Sequence, residues 1–242
     1  MVKVTPVKKS RAPFFLLLFA IIVAGAGGIY YKVASTSQKP IALAPGTPLP
    51  NSAGYLRGDS TAPVSIIEFG DFECPLCGQF GTVTEPDVRK RIVDAGLASF
   101  RFYDFPLPIH RNTMSASLAA ACADHQGKFW EMYEAIFQTQ GDWNGQATSN
   151  PKKILQEVAK TIGVDETAWS TCFDSQADVA RIEAHRAAGL ALGVNSTPTF
   201  VIDGHMYQQS FTYDELKKLV DSITVAKKGG APATLPTGPA KK

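Results

Sequence analysis

The chain has 242 residues, 45% of them hydrophobic, enough for one domain with a sizeable core plus extensions. Its formal charge of +2 misleads: no acid precedes Asp59 or follows Asp221, and between those two thirteen Lys and Arg face all 22 Asp and Glu. The folded part is therefore acidic, which argues against a nucleic-acid-binding core, and an even count of 4 cysteines suits an oxidising compartment.

Residues 1–12 form a basic tail with Lys3, Lys8, Lys9 and Arg11, ahead of an uncharged run from Phe14 to Tyr31. The run has about the length that spans a bilayer. Basic residues ahead of it keep that end cytoplasmic and send the rest across. Residues 13–34 are thus read as a transmembrane signal anchor, with Tyr30, Tyr31 and Lys32 at the far interface. The alternative is a signal peptide cut after Ala26, because Ala24-Gly25-Ala26 fits the A-x-A pattern. A buried core helix fits the flanking charge and the following linker poorly. No cysteine follows the run, so lipoprotein processing is excluded. Either leading reading puts the folded part outside the cytoplasm, on a periplasmic or extracellular face. Residues 35–56, rich in Pro, Ser, Gly and Thr, read as a flexible linker.

Val64 to Phe69 is apolar and β-branched, long enough for one buried strand of the stretch Ala62–Phe69. Gly70 and Asp71 break it, and Cys74-Pro75-Leu76-Cys77 follows at the start of a helix. Cys74 falls at the N-cap or first turn, and Pro75 suits the first helical position. Helix N-termini carry unpaired N–H groups and partial positive charge. A sulfur held there is favoured as thiolate, so Cys74 is assigned as the attacking sulfur and Cys77, one turn on, as the resolving one. The competing reading is half a zinc site, which needs a second ligand pair at short spacing. Cys122 and Cys172 stand alone and far apart, and no His-x-x-x-His occurs, so redox chemistry is preferred and no metal or other cofactor is expected.

Gly78 to Ala95 reads as helix with Pro86 as a kink or break. Ser99 to Phe105 alternates as a strand, and a helical crossover between two strands implies a parallel βαβ unit. Helices are expected at Thr113–Ala123, Lys128–Gln138, Pro151–Ile162, Glu166–Phe173 and Gln176–Leu192, with Asp165 and Asp174 as caps. Phe129, Met132, Tyr133, Ile136 and Phe137 share one side at helical spacing and read as core. Trp143 is placed in a polar loop. Thr199–Ile202 is a strand, Asp203-Gly204 a hairpin turn signal, Met206–Gln208 the return strand and Asp214–Val225 a closing helix. Residues 226–242 read as a disordered tail. The fold class is α/β: a βαβ half and a ββα half, with helices inserted at about 111–192.

At these residues the chain resembles the DsbA-like thioredoxin-fold thiol–disulfide oxidoreductases, from about Arg57 to about Val225. The resemblance is carried by Glu68-Phe69-Gly70-Asp71-Phe72-Glu73-Cys74-Pro75-Leu76-Cys77, by Gln126-Gly127-Lys128-Phe129-Trp130, and by Gly193-Val194-Asn195-Ser196-Thr197-Pro198-Thr199-Phe200. It implies an exposed nucleophile at Cys74 with Cys77 recessed. It implies a cis-proline loop at Thr197-Pro198, beside the sulfurs, that offers backbone groups to an extended substrate. Glu68 sits where the family keeps a carboxyl beneath the disulfide; desolvation should raise its pKa and let it exchange a proton with Cys77, the alternative being a solvated strand residue. The resemblance also implies a structural disulfide between Cys122 and Cys172, worth about 4 kcal/mol in the chain-entropy model, against two buried free thiols. His110 is given no catalytic role.

The strongest oxidants of this kind carry histidine between the cysteines, whereas this chain has Pro75-Leu76. Leu76 offers neither charge nor hydrogen bond, and acidic Asp71 and Glu73 push the same way, so a milder oxidant is expected. The implied activity is oxidation of exported proteins through a mixed disulfide on Cys74, by a monomer recharged by a membrane quinone-linked thiol oxidase. Alternatives are a disulfide isomerase or reductase, or a non-enzymatic chaperone module gripping peptides near Pro198.

Overall fold

The computed structural model describes residues 39–50 and 54–229, plus helical positions at 18, 19, 21, 22 and 25. The 1–12 tail, most of the Phe14–Tyr31 run, the Ala26 cleavage position and residues 230–242 lie outside the described residues. Among those described, no helix is long and apolar enough to cross a membrane.

Six strands form one sheet: β1 (Ile41–Ala42), β2 (Tyr55–Arg57), β3 (Val64–Gly70), β4 (Ala98–Asp104), β5 (Thr199–Ile202) and β6 (His205–Tyr207), in the order β1-β6-β5-β3-β4-β2. The apolar β3 is central, parallel to β4 and antiparallel to β5. Its side chains alternate between two cores. Ile66 joins Phe100, Phe102, Phe200 and Ile202 on the larger face, while Ile67 and Phe69 join Tyr103, Phe105 and Val201 on the other. A strand covered on both faces reads as a nearly continuous apolar run, as this one does. Asp203 and Gly204 both take positive φ, 47° and 76°, as a tight two-residue hairpin turn requires.

The helical segment after the cysteines runs as α1 (Pro75–Gln79), a π turn (Phe80–Thr84), α2 (Glu85–Val88) and a second π turn (Arg89–Val93). The expected break at Pro86 is a widening, not a stop. Pro86 supplies no N–H to the ladder, and the Glu85 N–H reaches back five residues to the Phe80 carbonyl. Between β4 and β5 stand α3 (Thr113–Asp124), α4 (Phe129–Gln138), α5 (Gln140–Trp143), α6 (Lys152–Thr161), α7 (Glu166–Ser175) and α8 (Val179–Ala191). The chain closes with α9 (Tyr213–Lys227). This is a thioredoxin-like fold with an inserted helical segment.

Several local expectations change. Ile41–Ala42 and Tyr55, inside the stretch read as flexible linker, pair with β6 and β4. Sheet edges present unpaired N–H and C=O groups that recruit such segments, and Tyr55 also stacks on Phe129 with ring centroids 3.5 Å apart. Asp165 caps α7 by accepting the Ala168 N–H at 2.7 Å, but Asp174 lies within α7 and pairs with Lys152. Trp143 is not in a polar loop: it is fully buried at the end of α5 and donates its indole N–H to the Ile136 carbonyl. The final helix runs two residues past Val225, where Lys227 reaches Asp203 at 2.6 Å and the Pro63 carbonyl at 3.0 Å.

Candidate active site

Cys74 is the N-cap of α1 with extended backbone angles, φ −70° and ψ 124°, and Pro75 opens the helix. Cys74 and Cys77 are both free thiols. The Thr197-Pro198 peptide is cis, and the Cys74 thiol donates to the Thr197 carbonyl at 3.3 Å across 123 residues of sequence. Sheet pairing explains the meeting. Glu68 and Phe69 on β3 lie opposite Phe200 and Thr199 on β5, so the end of one strand and the start of the other deliver both loops to the same edge.

The electrostatics separate the two sulfurs. The Cys74 pKa is lowered to about 6: the Cys77 thiol hydrogen bond contributes most, burial opposes it, and Thr197 with the N–H groups of Cys77 and Leu76 lowers it further. Cys77 is fully buried, and desolvation drives its pKa well up. The expectation of an exposed nucleophile is corrected. Cys74 is only 6% exposed, because the Thr197 loop lies against its sulfur, while Leu76 is 51% exposed.

Glu68 is fully buried on the same sheet face as the larger core. Burial raises its pKa well above the usual carboxyl range, reinforced by Glu85 and Cys74 and opposed by a Tyr133 hydrogen bond. The Tyr133 hydroxyl donates to Glu68 Oε2 at 3.5 Å, and Glu68 Oε1 has no partner. It couples electrostatically to both cysteines, so the core face of β3 carries a carboxyl with a raised pKa in their vicinity.

Asp71 and Glu73 are both engaged in hydrogen bonds. Asp71, fully buried, accepts from the Glu73 N–H and Leu107 N–H at 2.8 Å each and from the Thr113 hydroxyl, and its Oδ2 meets His110 Nδ1 at 2.7 Å. Glu73 accepts the Asn112 and Gly145 N–H groups at 2.6 Å each. Both carboxylates are spent as braces tying the cysteine turn to the loops after β4 and α5. The His110 pKa is raised, chiefly by its hydrogen bond to Asp71.

Gln140 was not singled out in the sequence. It donates to the Phe72 and Cys74 carbonyls at 2.7 and 3.0 Å. Gly78 makes room for it: a Cβ there would stand 2.8 Å from Gln140 Oε1. The spacing of a lone glutamine carries no signal of such a role; a glycine one turn after a cysteine is the faint trace. Cys122 and Cys172 lie in the helical segment and are bonded to each other, joining α3 to α7 with a Cα–Cα distance of 5.7 Å. Asp178 stands beside both sulfurs, which the disulfide occupies.

The family model described as Thioredoxin matches residues 51–222. The Na(+)/H(+) antiporter NhaA 1 of Salinispora arenicola is 30% identical over 176 residues, 72% of this chain and 25% of that protein. The chain thus spans about a quarter of the length of the antiporter relatives it matches first. Disulfide bond formation protein D of Bacillus subtilis is 24% identical over 170 residues, 68% of this chain and 74% of that protein. Among solved structures, Wolbachia pipientis alpha-DsbA1 superposes with a TM-score of 0.66 at 22% identity, covering 76% of this chain and 96% of that one. Oxidised BdbD from Bacillus subtilis gives 0.64 at 22%, covering 77% and 98%. The chain belongs to the thioredoxin family, and its fold is that of the solved DsbA structures on which it superposes.

Proposed function

We propose that this protein is an extracytoplasmic disulfide oxidase that passes the Cys74–Cys77 disulfide to exported proteins. One observation carries the reading: a sulfur with its pKa lowered to about 6 stands beside a resolving thiol and the Thr197-Pro198 loop. A client thiolate attacks Cys74 Sγ; the Cys74–Cys77 bond breaks as the mixed disulfide forms, and Cys77 leaves with the electron pair. Glu68 gives that sulfur its proton and becomes carboxylate. A second client thiolate then attacks the client sulfur of the mixed disulfide and expels Cys74, a good leaving group because its thiolate is stable. The client gains a disulfide, the protein becomes a dithiol, and two electrons have moved.

Thr197 and Pro198 supply backbone groups to an extended client, and Cys122–Cys172 is the structural bridge. The protein works as a monomer, held to the membrane through residues 13–34 or released by cleavage after Ala26. A membrane quinone-linked thiol oxidase reoxidises it. Titration of the Cys74–Cys77 pair against glutathione tests the direction. A Cys74 pKa between those of thioredoxin, about 7, and DsbA, about 3.5, predicts a potential between roughly −270 and −120 mV. A value at or below thioredoxin's would assign a reductase instead. Undiminished folding assistance by Cys74→Ser protein would point to the chaperone alternative.

A further inference from the structure

The turn that presents Cys74 is held by a side chain with no part in the exchange step. Asp71 to Cys74 is a tight turn closed by the Cys74 N–H on the Asp71 carbonyl at 3.0 Å. The peptide between Phe72 and Glu73 is its central one, whose rotation distinguishes one turn type from another. Gln140 Nε2 donates to the Phe72 carbonyl of that peptide at 2.7 Å and to the Cys74 carbonyl at 3.0 Å. Both amide hydrogens are thereby used. The Cys74 carbonyl also accepts the Gly78 N–H at 3.0 Å, so both of its lone pairs are filled. One amide therefore spans the turn and the start of α1.

Gln140 itself stands on a fixed support. It opens α5, whose last residue, Trp143, is fully buried and donates its indole N–H to the Ile136 carbonyl at 2.9 Å. Just beyond, the Gly145 N–H holds Glu73 Oε1 at 2.6 Å. On its other side the amide meets α1 at Gly78, where a Cβ would stand 2.8 Å from Gln140 Oε1 and 3.0 Å from Nε2. Alanine is the better helix former, and glycine at this helical position leaves the space that the amide fills.

The surroundings of the sulfur depend on that geometry. Cys74 Sγ lies 3.3 Å from the Thr197 carbonyl and draws on the N–H groups of Leu76 and Cys77 in the first helical turn. Hydrogen bonds weaken steeply as their angles close, so a turn free to rotate would lose them. The titratable groups coupled to Cys74 are Cys77 from α1, Glu68 from β3 and His110 from the loop after β4. Gln140 is uncharged and adds nothing to that set.

We propose that Gln140 is a positioning residue for thiol–disulfide exchange: its amide locks the Asp71–Cys74 turn and so aims Cys74 Sγ at the cis-proline loop and the first helical turn. The inference rests on the reading above that Cys74 carries the mixed disulfide. Gln140 exchanges neither proton nor electron.

The test is the ultraviolet titration of the Cys74 thiolate in the full chain reduced at Cys74 and Cys77, with the exchange equilibrium against glutathione measured alongside. Gln140→Ala removes both donors and should raise the Cys74 pKa by about one unit. The equilibrium should move several-fold toward the protein disulfide, because a less stable thiolate disfavours the dithiol. Gly78→Ala displaces the amide without removing it and should act the same way, although it installs a better helix former. The two changes together should raise the pKa no further than either alone, as expected of residues acting through one contact. Cys122→Ala/Cys172→Ala, destabilised elsewhere, should titrate as wild type. Should Gln140→Ala fail to fold, Gly78→Ala decides by itself. Folded variants with the wild-type pKa, additive shifts in the double variant, or an equal shift in Cys122→Ala/Cys172→Ala overturn the role of Gln140. A wild-type Cys74 that titrates at the ordinary 9.0 instead removes the reading of Cys74, and the role of Gln140 with it.

Discussion

The acidity of Cys74 is set from three places: the thiol of Cys77, the Thr197 side chain on the cis-proline loop, and the N–H groups of the first helical turn. A pKa lowered from 9.0 to about 6 in the folded dithiol has a fixed consequence for stability. The contribution is fully present above the unfolded value of 9.0 and is lost as pH falls through about 6. The melting temperature of the dithiol form should therefore rise relative to the disulfide form as pH is raised from about 6 to 9.0, as calorimetry of both forms at several pH values would reveal. Replacing Thr197 by valine removes a hydroxyl of similar shape. The Cys74 pKa should rise by roughly one unit, read from the ultraviolet absorbance of the thiolate, and the potential should become less oxidising. An unaltered titration would show that the Thr197 hydroxyl does not act on the sulfur.

Elements are joined around the site by carboxylates, not by the helix alone. The cysteine turn, the loop after β4 and the start of α3 all converge on Asp71 through Glu73, Leu107, His110 and Thr113. Asp71→Ala should cost about 3 kcal/mol or more, because several buried donors lose their acceptor together. Urea unfolding would measure the loss, and hydrogen exchange should localise early opening to the Leu107–Thr113 loop. Asp71→Asn, which keeps an acceptor, should cost less. Equal losses in the two variants would mean that packing, not hydrogen bonding, sets the effect. The same loop carries Ile109, 81% exposed, at its tip.

On the scale of the whole molecule, the helical segment and the sheet share one core, with Phe72 on the cysteine turn packed against Phe102, Tyr133 and Phe137. The Cys122–Cys172 bond closes a separation of 50 residues within that segment. Cys122→Ala/Cys172→Ala should lose about 2–4 kcal/mol of stability, chiefly by freeing the unfolded chain. Exchange at Cys74 should persist where the variant is folded, since the bond touches none of the groups around the site. A collapse of exchange in the folded variant would show that the segment's rigidity, not only its presence, shapes the Cys74 environment.

The sequence by itself determined the elements whose cause is local. The β-branched run of β3, the Cys-Pro-Leu-Cys turn entering a helix, the Asp203-Gly204 hairpin and the apolar stripe of α4 each follow from neighbours within a few residues. Those signals carried the order of strands and helices and the two sulfurs. Tertiary structure decided what depends on distant partners. Ile41 and Tyr55 have weak strand signals and became strands because β6 and β4 offered open edges. Asp71 and Glu73 look like charges beside a nucleophile, yet loops about 36 to 72 residues away satisfy them. Glu85 looks like an ordinary helical glutamate beside a proline. It is buried because Arg57, 28 residues earlier, folds over it. Burial and pairing set the energy of a charge, and neither is encoded within one turn of the chain.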